Sequence, residues 1–315
     1  MTAATASSPH PPNPDPAPNE GEKLASLTVA LPDGRQLAVE TMGDPHGKPV
    51  FLLHGTPGSR LGQAPRSAVL SWLGIRLITF DRPGYGDSDR LPGRRVADAA
   101  GDVAAVADEL GLKSFGVIGR SGGAPHALAC ATLLPERVTR TAALISLAPR
   151  GAPGLDWYAG MASSNRQAYA SAQSGGSRLA STLRARSRDI RADPSILIAE
   201  LNTEMPESDR RMMADRGVRS MLRTNFREAL RSHDAGGWID DVVALNQHWG
   251  FDPADIPGPV LLWHGEDDVF TPVEHSRWLA DRIPDSQLRV EPATAHFGVL
   301  RILPAILKWG AGHHI

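Results

Sequence analysis

A mostly parallel α/β sheet, edged by an antiparallel N-terminal strand pair and covered by helices on both faces, is the fold class that this 315-residue chain predicts. Three observations predict it. Short, wholly apolar runs alternate with stretches of helical period, the pattern of a parallel sheet buried on both faces. Two β-like runs at the start are joined by Pro32-Asp33-Gly34, a hairpin signal. One long stretch, residues 151–255, contains no convincing strand and separates two core strands, so it reads as a helical insertion.

Element by element, the opening strands are expected over residues 25–31 and 36–41. Residues 50–53 are a buried strand, 67–73 a helix and 75–80 the next strand. Residues 96–110 place Val103, Val106 and Leu110 at helical spacing, with Gly111 as a C-cap. Residues 115–118 form a strand, 124–134 a helix, and 141–147 and 260–263 two more strands. A helix carrying His275 follows, then a strand at 288–290 and a terminal helix near 299–309. Inside the insertion, 194–201 and 218–230 read as helices. Open α/β sheets bind ligands beyond the carboxyl ends of their strands, so the insertion is expected to cap the site. The chain then divides into a core of residues 23–150 and 256–315 and a helical cap of 151–255. Residues 1–22, rich in Pro, Ala and Asn, are expected to form a disordered tail.

Composition excludes several classes. Hydrophobic residues make up 41% and charged residues 22%, the mixture of an ordinary soluble globular protein. A net charge of −2 points away from nucleic acid and anionic membranes as partners. No apolar run approaches the length of a transmembrane helix, and the start lacks the pattern of a signal peptide. The single Cys130 excludes an intrachain disulfide and a cysteine-based zinc site, and suits a reducing cytoplasm. A cytoplasmic monomer or homodimer acting on a small molecule, with no metal or organic cofactor, is the expectation.

Gly119-Arg120-Ser121-Gly122-Gly123 is a G-x-S-x-G pentapeptide between a predicted strand and a predicted helix. That context marks a sharp turn presenting the Ser121 hydroxyl to a substrate. A serine hydroxyl needs a base, and the base needs a carboxylate to fix its tautomer. On this architecture the order is Ser, acid, His. Acids follow the strand at 260–263: the residues alone leave Glu266, Asp267 and Asp268 equal. Among 11 histidines, His296 follows a strand, precedes a helix and comes after the acid, so it is the base candidate. An oxyanion would be held by the backbone N–H of Gly122 and by one from the loop His54-Gly55-Thr56-Pro57. Pro57 has no N–H, which leaves Thr56.

Together these segments resemble the α/β-hydrolase superfamily. His54-Gly55-Thr56-Pro57-Gly58-Ser59 is similar to its H-G-x-P oxyanion loop, and Asp81–Asp89 to its D-x-x-G-x-G-x-S turn. Gly119–Gly123 resembles its nucleophile elbow, and Gly265–Pro272 its G-x-x-D-x-x-x-P acid loop, a register that selects Asp268. His296 corresponds to its terminal histidine, although Ala293-Thr294-Ala295 stands where glycines are usual. The resemblance spans roughly residues 26–309 and implies a serine hydrolase with the triad Ser121, Asp268 and His296. It narrows towards small esterase and proline-iminopeptidase types. A small or medium carboxylic ester is the expected substrate. Amide, thioester or C–C bond hydrolysis, a lyase or cyclase role, and a ligand-binding receptor are the alternatives. Of the insertion's aromatic and Met residues, Trp157, Tyr158, Met161 and Trp238 are expected to line the pocket. Gly122 is expected to leave open space at the oxyanion position, and Arg120 to pair with a neighbouring carboxylate or meet an acidic substrate group.

Overall fold

A computed structural model describes residues 25–62, 64–173, 177–232 and 234–314. The tail expected at residues 1–22 lies outside them. The sheet begins with β1 (Ala25–Ala30) and β2 (Gln36–Gly43), an antiparallel hairpin in register Ala30↔Gln36. Then come β3 (Lys48–Leu53), β4 (Ile75–Phe80), β5 (Phe115–Arg120), β6 (Val138–Leu144), β7 (Val260–Gly265) and β8 (Ser286–Glu291). Their spatial order is β1-β2-β4-β3-β5-β6-β7-β8, with every pair from β4 to β8 parallel and β2 antiparallel to β4. The fold class read from the sequence is therefore the one observed.

Helices cover both faces because the strand residues alternate between them. Phe51, Leu53, Ile78, Phe80 and Val117 pack against α2 (Ala99–Glu109) and α3 (Ala124–Leu133). Val50, Leu52, Ile75, Leu77 and Ile118 face α1 (Ser67–Trp72) and the C-terminal α11 (Val299–Gly310). Between β6 and β7 the described residues form six α-helices: α4 (Ser163–Gln173), α5 (Ser177–Ala192), α6 (Ser195–Glu204), α7 (Glu207–Ala214), α8 (Arg216–Ala229) and α9 (Gly236–Leu245). The short α10 (Glu274–Ala280) precedes β8. The insertion shares one apolar cluster with Ala143 of β6 and Leu262 of β7, so it is packed onto the sheet. Among the described residues no helix is long and apolar enough to cross a membrane.

Several strand ends differ by one to three residues from the reading by apolar runs, and β6 shows why. β6 starts at Val138, where Thr139 and Arg140 make the strand polar, and ends at Leu144; Ile145 then turns away at φ 47°. Its apolar tail, Ile145 and Leu147, is buried in a loop. In the insertion, α4, α5, α7 and α9 were not legible as helices. α9 opens with Gly236-Gly237, ordinarily a breaker. A Cβ at Gly237 would stand 2.6 Å from the Tyr85 ring, so glycine is what lets α9 close on the loop after β4.

Candidate active site

Strand β5 ends at Arg120, and Ser121 follows at φ 53°, a left-handed conformation rare for a residue with a side chain. A tight 3-10 turn, Ser121–Gly123, then leads into α3. The turn is closed so hard that a Cβ at Gly119 would lie 2.2 Å from the Gly123 carbonyl oxygen. One at Gly123 would lie 2.4 Å from the carbonyl oxygens of both Leu53 and His54. Such strain costs of order 1–3 kcal/mol and collects where side chains must be presented. Ser121 lines a cavity shared with His296, Thr56 and Gly122. Among the described residues its hydroxyl has no hydrogen-bond partner.

Gly122 does not leave the open space expected of it. A Cβ there would stand 2.2 Å from Thr56 Oγ1 and 2.8 Å from Thr56 Cβ, so the threonine side chain already occupies that volume. The Thr56 backbone nitrogen lies 3.3 Å from the same point, which sets it beside the first turn of α3. Backbone N–H groups at a helix start lack intrahelical acceptors and carry the positive end of the helix dipole.

Asp268 and His296 meet although 28 residues apart: His296 Nδ1 lies 2.7 Å from Asp268 Oδ2. The carboxylate also accepts from the backbone N–H of Phe270 (2.8 Å) and Thr271 (3.1 Å) and from the Thr271 hydroxyl (2.9 Å). Burial alone would raise the Asp268 pKa, but His296, hydrogen-bonded to it, and the neighbouring His264 hold it well below the usual carboxylate range. Asp267 and Glu266, by contrast, are exposed. The His296 ring sits edge-on between Phe270 and Phe297, at 5.4 and 5.5 Å. Its backbone N–H and that of Phe297 donate to the two oxygens of Asp209 on α7, at 3.1 and 2.8 Å.

The loop after β3 is held from below. Arg82, fully buried, donates to the carbonyls of His54 and Gly55 and to Thr56 Oγ1, and pairs with Asp241 of α9. Asp241 also accepts from Thr56 Oγ1, from Tyr85 (2.8 Å) and pairs with Arg94 (2.8 Å). Burial pushes the Asp241 carboxyl up, but Arg82 and Arg94 overcome it and hold it well below its ordinary value. His54 accepts from the Arg82 N–H at Nε2, so its proton is on Nδ1, 2.8 Å from the Gly55 carbonyl. Burial and the Arg82 charge push its pKa well down, and it is neutral. Asp209, Arg82 and Asp241 were not singled out in the sequence: Asp209 lies on the polar α7, where an acid reads as solvated, and only the pattern of their partners reveals the three.

Of the expected pocket residues, Trp238 lines the cavity. Trp157, Tyr158 and Met161 do not: Trp157 is buried edge-on against Tyr158, Tyr169 and His275 and donates to the Ala148 carbonyl, and Met161 lies in the same apolar cluster. Tyr169, Leu197, Leu222 and Phe226 supply apolar lining in their place. Arg120 has no carboxylate within ion-pair distance among the described residues; it lies over the Phe297 ring at 5.3 Å. No three His, Cys, Asp or Glu side chains gather as a metal-binding group among the described residues.

The sequence profile of the alpha/beta hydrolase fold matches residues 48–301. The chain matches about a third of the length of several curated relatives. One is a proline iminopeptidase of Xylella fastidiosa (strain 9a5c), 34% identical over 114 residues that cover 35% of this chain and 36% of that protein. A longer match, 26% identical over 284 residues, is to a 2-hydroxymuconate semialdehyde hydrolase of Pseudomonas putida, with 89% of this chain and 90% of that protein covered. Among solved structures, the enol-lactonase from Burkholderia xenovorans LB400 superposes with a TM-score of 0.66 at 20% identity, covering 90% of this chain and 97% of that one, a likeness of fold.

Proposed function

The chain belongs to the α/β-hydrolase fold family, and from that premise we propose that it hydrolyses a small or medium carboxylic ester with Ser121 as nucleophile, His296 as base and Asp268 as its orienting acid. One observation carries the reading: Ser121, on its strained elbow, opens into the cavity that His296 also lines, and His296 is bound to Asp268 through Nδ1. A carboxylate only accepts, so that bond places the histidine proton on Nδ1 and leaves Nε2 free to take one.

In the proposed reaction the Ser121 oxygen attacks the ester carbonyl while its proton passes to His296 Nε2. The negative oxygen of the tetrahedral intermediate accepts from the N–H groups of Gly122 and Thr56. Collapse breaks the bond to the alcohol, which leaves with the proton from His296. Water then adds to the acyl-enzyme by the same route, and Ser121 recovers its proton. The Ser121–His296 hydrogen bond closes as substrate fills the cavity, as catalytic contacts commonly do. Residues 151–255 act as the cap that shapes this cavity, supported by the presence of Tyr169, Leu197 and Trp238 among its lining.

The test is labelling with a fluorophosphonate, followed by turnover of a panel of p-nitrophenyl esters. Labelling is expected at Ser121 and nowhere else, and Ser121→Ala is expected to lower kcat by about 10⁴- to 10⁶-fold. Undiminished turnover in Ser121→Ala would overturn the nucleophile assignment; labelling without ester turnover would overturn the ester.

A further inference from the structure

Three arginines, Arg60, Arg120 and Arg186, and no carboxylate are among the described residues lining the cavity. Two of the three are already neutralised. Arg60 pairs with Asp81 and Glu228, and Arg186 pairs with Glu200. Arg120 differs. Its Nε and Nη2 are enclosed and have no hydrogen-bond partner. The remaining Nη1 and the Ser121 Cβ lie 3.8 and 3.5 Å from one common point, the place where a Cβ on Gly55 would stand. The guanidinium is therefore a neighbour of the nucleophile, between the oxyanion loop and Phe297.

The nearest acids do not serve it. Asp209 is committed to the N–H groups of His296 and Phe297, and Asp268 to His296, Phe270 and Thr271. Burial pushes the Arg120 pKa down to about 10, which leaves it a cation at neutral pH. Stacking on Phe297 does not account for it, because an uncharged Leu or Met would pack there without burying unpaired donors. An enclosed guanidinium with unpartnered donors is unfavourable until an anion meets it, and Nη1, the one nitrogen not enclosed, is the donor that a carboxylate in the cavity reaches.

We propose that Arg120 receives a second carboxylate on the acyl part of the substrate, so that the preferred esters are half-esters of short dicarboxylic acids. This rests on the ester-hydrolase reading above. A carboxylate on Arg120 and a carbonyl at Ser121 are then joined by a short acyl chain, while the apolar wall of Leu197, Leu222 and Phe226 is left for the alcohol.

Two measurements test it on the whole protein. Calorimetric titration with glutarate, against glutaramide as the uncharged control, reads the site without any turnover. Glutarate is expected to bind and glutaramide to bind at least 10-fold more weakly; equal binding, or none by either, would overturn the proposal. The second compares kcat/KM for monomethyl glutarate and dimethyl glutarate in the wild type, Arg120→Lys and Arg120→Gln, each first checked by thermal melting. The wild type is expected to prefer the half-ester by roughly 10- to 100-fold, the increment of a charge-assisted hydrogen bond. That preference is expected to fall towards unity in Arg120→Gln and to be partly kept in Arg120→Lys, with the loss mostly in KM. A preference unchanged in Arg120→Gln, or a fall of equal size for both esters, would instead make Arg120 a contributor to the oxyanion site and overturn the proposal. Glutarate binding without turnover of either ester would keep the carboxylate site and remove the ester reaction.

Discussion

Gly122 shows how little room the site leaves at the scale of a single residue. The volume that its missing side chain vacates is filled by Thr56 Oγ1, which is itself held by Arg82 and Asp241. Gly122→Ala is therefore expected to push Thr56 off its position. The loss should resemble removal of one oxyanion donor, about 10²- to 10³-fold in kcat, with fluorophosphonate labelling slowed in parallel; kinetics within a few-fold of wild type would show that the loop can yield. The glycines at 119 and 123 were legible in the sequence because the contact that demands them is set by the motif itself. The fit between Gly122 and Thr56 was not, since it depends on how closely two loops 66 positions apart approach. Asp267 and Asp268 are neighbours that residue type alone leaves equal; the motif register selects Asp268, and the folded loop agrees, exposing Asp267 and turning Asp268, 4% exposed, against His296.

Two helices of the insertion reach the loops of the candidate site with one carboxylate each. Asp241 of α9 ties Arg82, Tyr85 and Thr56 together, and Asp209 of α7 receives the N–H groups that open the turn at His296. Burial raises the Asp209 pKa, an unfavourable placement that those N–H groups and the neighbouring His296 only partly offset. Asp209→Ala leaves two backbone donors unpaired and should cost about 1–3 kcal/mol in unfolding free energy. It should also lower kcat well below the melting temperature, because the His296 loop loses its anchor; Asp209→Asn, which keeps an acceptor oxygen, should restore part of both. A drop in stability with kcat untouched would make Asp209 a packing residue alone. α7 itself escaped the sequence reading because its eight residues are mostly polar, and the strongest clue to its role is a partner 87 positions away.

Across the whole molecule, buried neutral histidines give the fold its response to acid. Burial first, then Arg82 beside His54 and His126 and the His264 ring beside His275, pushes the pKa of His54 well down, that of His126 to about 3 and that of His275 to about 4. An unfolded chain binds protons at these rings below about pH 6.5, whereas the folded chain refuses them until lower pH. Each ring therefore withdraws stability as pH falls from about 6.5 towards its folded value, by at most about 1.4 kcal/mol per pH unit. Asp81, raised to about 6 by burial, acts in the opposite sense, losing stability as pH rises from about 4 to 6. His275→Gln isolates one contribution: the slope of unfolding free energy between pH 6 and 4.5, from urea titrations, should become less steep by about one such increment relative to wild type. An unchanged slope would mean that His275 accepts a proton in the folded state. The sequence by itself determined the mixed sheet, the helices that cover its two faces and the elbow at Ser121, because apolar periodicity and close backbone approach within a turn are local constraints. The tertiary structure alone decided that Asp209 and Asp241 bind the insertion to the loops of the candidate site, and that Arg120 stands without a carboxylate partner among the described residues. Those are distances between remote segments, and burial makes each of them matter by removing the water that would otherwise screen a charge or satisfy a donor.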